Sequence, residues 1–184
     1  MTPPTITGHE PAAPSSPHPR RWRLVAGAFL FGGLVIAIDQ GTKVWAEAAL
    51  TRGERIPLIG DLLGLQLAYN PGAAFSFGEG FTWVFAVVAA AATVAAIVFA
   101  FRVQRPAWAI VIGALGGAAA SHAFDRLFRE PGFARGHVVD FLAYGNWFIG
   151  NIADIVIVTA AIAGAFLMLR EPPARHHDGA THEE

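Results

Sequence analysis

Four long apolar stretches dominate the pattern of hydrophobic and polar positions along the chain. They are Leu24 to Ile38, Phe81 to Phe101, Ala107 to Ala123 and Phe148 to Leu169. Because a helix rises about 1.5 Å per residue, about 20 residues cross a bilayer, and each stretch reaches that length once its polar flanks are included. The pattern therefore predicts four transmembrane helices.

The two ends of the chain have a different composition. Residues 1–19 and 171–184 are rich in proline and polar residues and contain few large apolar side chains, so burial cannot offset the entropy of ordering. We expect a disordered tail at each end and a membrane domain over residues 20–170. The adjacent His176 and His177 allow a metal-binding alternative in the second tail, although solvated histidines are commoner in such segments.

The region after the first apolar stretch predicts extended structure. The segment IPLIGDLLGLQLAY (56–69) consists of short apolar pieces separated by glycine and proline, which suits strands or an interfacial loop better than a spanning helix. A turn-rich segment, NPGAAFSFGEG (70–80), follows. Phe75 and Phe77 lie on one face if this chain is extended. Residues 56–77 are therefore expected to form a small platform on the membrane.

The basic residues indicate how the helices cross the membrane. Arg20, Arg21 and Arg23 precede the first apolar stretch, and cytoplasmic flanks of membrane helices are enriched in such residues. We expect both termini in the cytoplasm and residues 44–80 and 125–147 on the outer face. A cleaved signal peptide is the alternative for the first stretch. A retained helix is favoured, because charged residues interrupt the end of that stretch.

The overall composition narrows the possible chemistry. The 184 residues are 54% hydrophobic and 15% charged, with a formal net charge of -1, which is typical of a membrane protein rather than a soluble one. No basic stripe interleaved with aromatic residues indicates nucleic-acid binding. The sequence has no cysteine, which excludes disulfides, thiolate metal sites and a cysteine nucleophile.

Ionisable residues inside or beside membrane spans are rare and are usually functional or paired. Asp39 and Lys43 are four residues apart, a spacing that permits an ion pair on a helix. Asp125 directly precedes Arg126 where the third span ends, so a helix-end salt bridge or a solvated charge explains it. These positions have ordinary structural interpretations.

Asp140 and Asp154 are harder to explain in that way. Both lie in apolar surroundings, in GHVVDF and NIADIVIV, with no adjacent base. A carboxylate in such a place is protonated or shares a proton with a second carboxylate. If residues 141–147 fold back, the two acids form an aspartic dyad, in which one activates water and the other protonates the peptide bond. The alternatives are a hydrogen bond to a neighbouring span, a transporter's proton relay or ion site, and a structural scaffold.

Other catalytic patterns are absent from the chain. It contains no HExxH, GxSxG, GxxxxGKS or GxGxxG pattern, which removes the usual metalloprotease, hydrolase and nucleotide motifs. An alternative interpretation is a metal site formed by His122, Asp125 and His137. A histidine near a carboxylate is, however, more often one member of a hydrogen-bonded pair.

Five short motifs follow one another between the two tails. They are DQGTK (39–43), LAYNPGAAFSF (67–77), GG…FDR (116–126), GHVVDF (136–141) and NIAD (151–154). In this order and on a four-span scaffold, the set resembles the lipoprotein signal peptidases of bacteria, also called signal peptidase II. The resemblance covers essentially the whole chain between the tails.

The resemblance implies an aspartic endopeptidase that removes the signal peptide from prolipoproteins by cutting before a cysteine that carries diacylglycerol. Asp140 and Asp154 match the catalytic pair of the family, and Asn151 matches its site asparagine. Further positions match recurrent residues that are expected to support the site and bind substrate: Asp39, Lys43, Asn70, Gly72, Asp125 and Arg126. The family fold also implies an all-α membrane protein with an extended cradle and a short amphipathic helix on the outer face, at residues 56–77 and near 127–137.

Two positions depart from the family pattern. His122 stands where the family usually has asparagine, preceded by Ser121 instead of glycine, and Gly150 stands where an aromatic residue is common. Histidine can still donate a hydrogen bond, but its charge can change near neutral pH.

The expected partners are a diacylglyceryl-modified prolipoprotein and membrane lipid, with no nucleic acid. No metal or organic cofactor is expected, because two carboxylates and water suffice for the reaction. The expected state is a monomer in the bacterial cytoplasmic (inner) membrane, with its active site at the outer face.

Overall fold

The computed structural model describes residues 19–72 and 81–170. Its elements in chain order are α1 (Pro19–Ala49), β1 (Ile56–Ile59), β2 (Leu63–Asn70), α2 (Thr82–Ala100), α3 (Pro106–Phe128), β3 (Val138–Tyr144), β4 (Phe148–Gly150) and α4 (Ile152–Arg170). The predictions for the two tails, and for Phe75 and Phe77, lie outside the described residues.

Among the residues that the structure describes, four helices are long and apolar enough to cross a membrane, which confirms the predicted number of spans. The 31 residues of α1 extend about 46 Å at 1.5 Å per residue, further than the roughly 30 Å of a hydrocarbon core. The predicted start of the fourth span at Phe148 is wrong. Residues 148–150 pair as a strand, and the helix begins at Ile152.

One face of α1 is buried along most of the helix. Its buried residues recur every three or four positions, which is the period of a helical face: Val25, Ala28, Gly32, Val35, Asp39, Lys43 and Ala46. The two charged residues therefore occupy positions that continue an apolar stripe. The opposite side exposes large apolar groups such as Leu30 and Leu34, as expected of a surface that faces lipid.

Glycines allow α1 and α3 to pack at very short range. A Cβ atom on Gly113 would lie 2.5 Å from the carbonyl oxygen of Ala28, and one on Gly117 would overlap the carbonyl oxygen of Gly32. The small-residue face of α3 therefore forms a helix contact rather than a neutral surface. Because α3 also packs against α2 and α4, it is the central helix of the bundle.

A four-stranded antiparallel sheet in the order β1-β2-β3-β4 lies at one end of the bundle. Strands β1 and β2 confirm the extended structure predicted for residues 56–70, whereas β3 and β4 were not predicted as strands. Ala68 of β2 pairs with Asp140 of β3. The chain then folds back, so that Leu142 pairs with Gly150 just before α4 begins.

The segment between α3 and β3 differs from the expected amphipathic helix. Helix α3 continues to Phe128, and residues 129–137 form turns. Ala134 has a positive φ of 59°, which interrupts any helix there. The backbone N–H of Gly136 donates to the carbonyl oxygen of Arg126 at 3.0 Å. A Cβ atom on Gly136 would overlap the carbonyl oxygen of Asp125, so glycine allows the chain to pass close to the end of α3 and enter β3.

Candidate active site

Asp140 is buried where β3, an inner strand of the sheet, meets the helices. Its side chain lies on β3 and the residue is only 2% exposed. The amide of Asn151 donates to its Oδ1 at 2.6 Å, and that of Asn70 donates to its Oδ2 at 3.1 Å. Burial, together with the nearby charge of Asp154, raises the pKa of Asp140 to about 6, against the opposing effect of the two amide donors. Asp140 therefore keeps its proton up to a pH of about 6, where an ordinary aspartate is ionised.

Asp154 stands at the head of α4 because it helps to begin that helix. The backbone N–H of Asn151 donates to Oδ2 of Asp154 at 3.0 Å, and the backbone N–H of Asp154 donates to Oδ1 of Asn151 at 3.1 Å. This reciprocal pair is a capping box, which satisfies N–H groups that have no partner within the helix. The N–H of Ala153 donates to Oδ1 of Asp39 on α1 at 2.8 Å.

Asn151 therefore contacts both acids, and both line a single cavity of about 530 Å³. The polar end of the cavity is formed by the sheet and the first turn of α4. Its other walls are apolar side chains of three helices, including Val88, Ala92, Ala119, Ile157 and Val158. The cavity thus places two carboxylates beside a surface suited to an apolar ligand.

Arg126 links Asn70 and Gly72 to the same site. Its buried guanidinium donates to the carbonyl oxygen of Asn70 at 2.9 Å and also to that of Gly72. Oδ1 of Asn70 accepts the N–H of Gly72 at 2.9 Å, which closes a tight turn. The turn fixes the side chain of Asn70, whose amide then reaches Asp140.

A buried ion-pair network lies next to the two acids. Lys43 has no exposed surface, and its Nζ lies 2.6 Å from a carboxylate oxygen of Asp39 and 2.6 Å from one of Asp125. The i, i+4 pair predicted on α1 is present. The predicted helix-end salt bridge of Asp125 is present, with Arg129, whereas a solvated charge is wrong, because Asp125 is fully buried and also pairs with Lys43.

Two polar residues of this network were not identified from the sequence. The Ser121 hydroxyl donates to Oδ2 of Asp39 at 2.6 Å. The Gln40 amide donates to the Ser121 hydroxyl at 2.8 Å and to Oδ1 of Asp125 at 2.9 Å. The available signal was the helical spacing, since Ser121 precedes Asp125 by one turn on the same helix face.

His122 is a third residue that the sequence did not assign to the site. Its Nε2 lies 3.2 Å from Oδ1 of Asp154, and it lines the same cavity. Within residues 19–72 and 81–170, no three or more histidine, aspartate and glutamate side chains form a metal-binding group. His122 and Asp125, which belonged to the alternative metal site, have separate partners. The sequence feature that could have identified His122 as a site residue is its position, as an ionisable residue within the apolar run of α3.

Gly150 leaves space beside Asp154. A Cβ atom at this position would lie 2.8 Å from Oδ2 of Asp154, so a side chain there requires a small displacement of that carboxylate. The departure from the family pattern at Gly150 therefore lies next to one of the two acids.

Comparison with known proteins identifies the family. The family model described as Signal peptidase (SPase) II matches residues 31–170. The lipoprotein signal peptidase of Rhodococcus jostii (strain RHA1) is 39% identical over 158 residues, which are 86% of this chain and 79% of the relative. That of Mycobacterium avium (strain 104) is 41% identical over 150 residues, covering 82% and 81%.

The fold has counterparts among solved structures. A bacterial membrane enzyme determined by the in meso method at 2.3 Å resolution superposes with a TM-score of 0.69 and 22% sequence identity, over 82% of this chain and 94% of that chain. From the family model and the sequence relatives together, the chain belongs to the signal peptidase II family.

Proposed function

We propose that Asp140 and Asp154 are the catalytic pair of this signal peptidase II. The family assignment makes the chain an aspartic endopeptidase that removes signal peptides from prolipoproteins, in place of the transporter and scaffold alternatives. The observation that supports the pair is the position of Asn151, which donates to Asp140 and accepts from Asp154 through its own side chain. Both acids line the same cavity.

The reaction follows from the different surroundings of the two acids. Asp140, with a raised pKa, holds a proton, whereas Asp154 accepts hydrogen bonds as a carboxylate. Asp154 takes a proton from water, whose oxygen attacks the scissile carbonyl carbon, and Asp140 gives its proton to the carbonyl oxygen. The tetrahedral intermediate then collapses. The C–N bond breaks, the departing nitrogen takes the proton from Asp154, and Asp140 recovers its own.

The walls of the cavity support a lipid-modified substrate. The apolar part lies between α2 and α4, with α3 behind it, and is lined by residues such as Val88, Ala92 and Val158. Diacylglyceryl chains on a cysteine can remain in this apolar region while the preceding peptide bond reaches the acids. Cleavage directly before the modified cysteine follows from that arrangement.

A cleavage assay tests both parts of the proposal. Purified protein in detergent is given a diacylglyceryl-modified prolipoprotein or its unmodified precursor. Wild type is expected to cut the modified substrate alone, while Asp140→Asn and Asp154→Asn are folded and inactive. The control is Asp61→Asn, which changes an exposed aspartate in the turn between β1 and β2 and is expected to cut normally. Cleavage by either of the first two variants at the wild-type rate contradicts the proposal.

The orientation is part of the same proposal: both termini lie in the cytoplasm and the sheet lies at the outer face of the inner membrane. The arginines before α1 support it. Because the sequence has no cysteine, single cysteines give a clean test. In intact cells, a membrane-impermeant thiol reagent is expected to label Asp61→Cys but not Gln104→Cys, which lies between α2 and α3. The reverse pattern contradicts this orientation.

We propose that the enzyme acts as a monomer, because Asn151 links the two acids within a single chain. Mixing the inactive Asp140→Asn and Asp154→Asn proteins gives a direct test. No activity is expected from the mixture, whereas restored cleavage indicates a site shared between two chains.

A further inference from the structure

We propose that His122 is a positioning residue for Asp154: its imidazole holds this carboxylate in the orientation in which it meets the attacking water. The inference rests on the proposed role of Asp154 as the base. It goes beyond that role, because it assigns the orientation of an acid on α4 to a side chain of α3.

The geometry around Asp154 gives each of its oxygens a different partner. Oδ2 accepts the backbone N–H of Asn151 at 3.0 Å, and Oδ1 lies 3.2 Å from Nε2 of His122. With contacts on both sides, the carboxylate cannot rotate freely about its Cβ–Cγ bond. A water molecule between the acids then meets a base in one orientation, which is a condition for efficient proton transfer.

The charged groups around His122 come from several elements. Asp154 faces it from α4, and Asp140 of β3 lines the same cavity. On α3, one turn further along, Arg126 directs its guanidinium to backbone carbonyl oxygens. Lys43 of α1 is paired with two carboxylates behind the site. The sequence of α2, on the opposite wall, contains no ionisable side chain.

The His122 ring reaches Asp154 through Nε2. The side chain is partly exposed within the cavity, with 17% of its surface accessible. An N–H at Nε2 can donate to Oδ1 of Asp154 at the observed separation of 3.2 Å.

The consequence for catalysis concerns kcat more than KM. Without the imidazole, Oδ1 of Asp154 loses this partner and the carboxylate is no longer held in one orientation, so proton transfer from water slows. Substrate binding to the apolar walls is expected to stay the same, because the contact that is lost is with the acid.

The test compares kcat and KM on the diacylglyceryl-modified prolipoprotein. His122→Asn keeps an N–H donor, whereas His122→Leu has none. His122→Asn is expected to keep kcat within about tenfold of wild type, and His122→Leu is expected to lose about 10²-fold in kcat with an unchanged KM. The matched control, His137→Asn, changes a histidine outside the cavity wall and is expected to keep both wild-type values.

The outcomes separate this inference from the proposed function. If His122→Leu keeps the wild-type kcat, or if His122→Asn is as slow as His122→Leu, the inference is wrong even though the catalytic pair stands. If Asp140→Asn and Asp154→Asn retain activity, the catalytic pair itself is wrong. Unfolding midpoints identify a variant that has lost its fold, and if His122→Leu fails to fold, His122→Ala takes its place.

Discussion

Replacing Lys43 with methionine removes the cation at the centre of the buried network while keeping a side chain of similar length. Lys43 is the one lysine of the sequence, and its ammonium lies 2.6 Å from Asp39 and 2.6 Å from Asp125. All three residues have no exposed surface. The variant therefore leaves two buried carboxylates facing each other without the charge between them.

The expected loss follows from what the two carboxylates retain. Removing one partner of a buried ion pair costs about 3–5 kcal/mol, because the remaining charge is uncompensated. Asp39 still accepts from Ser121 and Ala153, and Asp125 still pairs with Arg129. These contacts favour the lower end, about 3 kcal/mol, which corresponds to roughly 6–12 °C in Tm for a chain of this size.

Thermal unfolding in detergent measures this change, and cleavage activity provides a second readout. Activity is expected to fall with stability, because Asp39 holds the N–H of Ala153 in the first turn of α4, next to Asp154. The control is Arg135→Met, which replaces an exposed cation on the loop before β3 and is expected to unfold near the wild-type temperature.

A double variant distinguishes electrostatics from packing. Neutralising one carboxylate, as in Lys43→Met with Asp125→Asn, removes the repulsion and is expected to recover part of the lost stability. A loss below about 1 kcal/mol in Lys43→Met, the range of an exposed pair, refutes the reasoning. So does a double variant less stable than Lys43→Met itself.

Two further predictions concern stability. Burial raises the pKa of Asp140 from 3.8 to about 6, so the native state binds this proton more tightly than the unfolded chain does. The stabilisation that results is present below pH 3.8 and is lost as pH rises through 6. Asp140→Asn lacks this dependence, so its stability relative to wild type is expected to increase by about 2.4 kcal/mol from pH 4 to pH 7. Unfolding midpoints at both pH values test this, and an unchanged difference contradicts it. Gly117→Ala is expected to lower stability by about 1–3 kcal/mol, since its Cβ overlaps the backbone of Gly32. The control Gly33→Ala meets no atom within 4 Å, and equal unfolding midpoints for the two alanine variants count against close packing of α1 and α3.

The sequence predicted those features that depend on local pattern. The four helices follow from apolar length, and the Asp39–Lys43 pair follows from helical spacing. The strands β1 and β2 were indicated by glycine and proline between short apolar pieces. These signals lie within one segment and need no knowledge of distant neighbours.

Features that depend on contacts between distant segments were missed. Strand β4 is only three residues long and joins an apolar helix, so its periodicity merges with that of α4. The salt bridge of Asp125 at the end of its own helix was predicted, whereas its second partner, Lys43 of the first helix, was not. The contact of His122 with Asp154 likewise joins α3 to α4. Long-range pairing of this kind is set by helix packing, which single-segment patterns do not encode.

The most direct measurement of the central claim is a comparison of single-turnover cleavage rates for Asp140→Asn, Asp154→Asn and the double variant on the diacylglyceryl-modified prolipoprotein. Two acids that act as one unit give non-additive effects, so the double variant is expected to be no slower than either single variant. Each single variant is expected to lose at least about 10⁴-fold, a loss of the size found when a member of a catalytic unit is removed. A folded single variant that cuts within tenfold of wild type contradicts the catalytic pair.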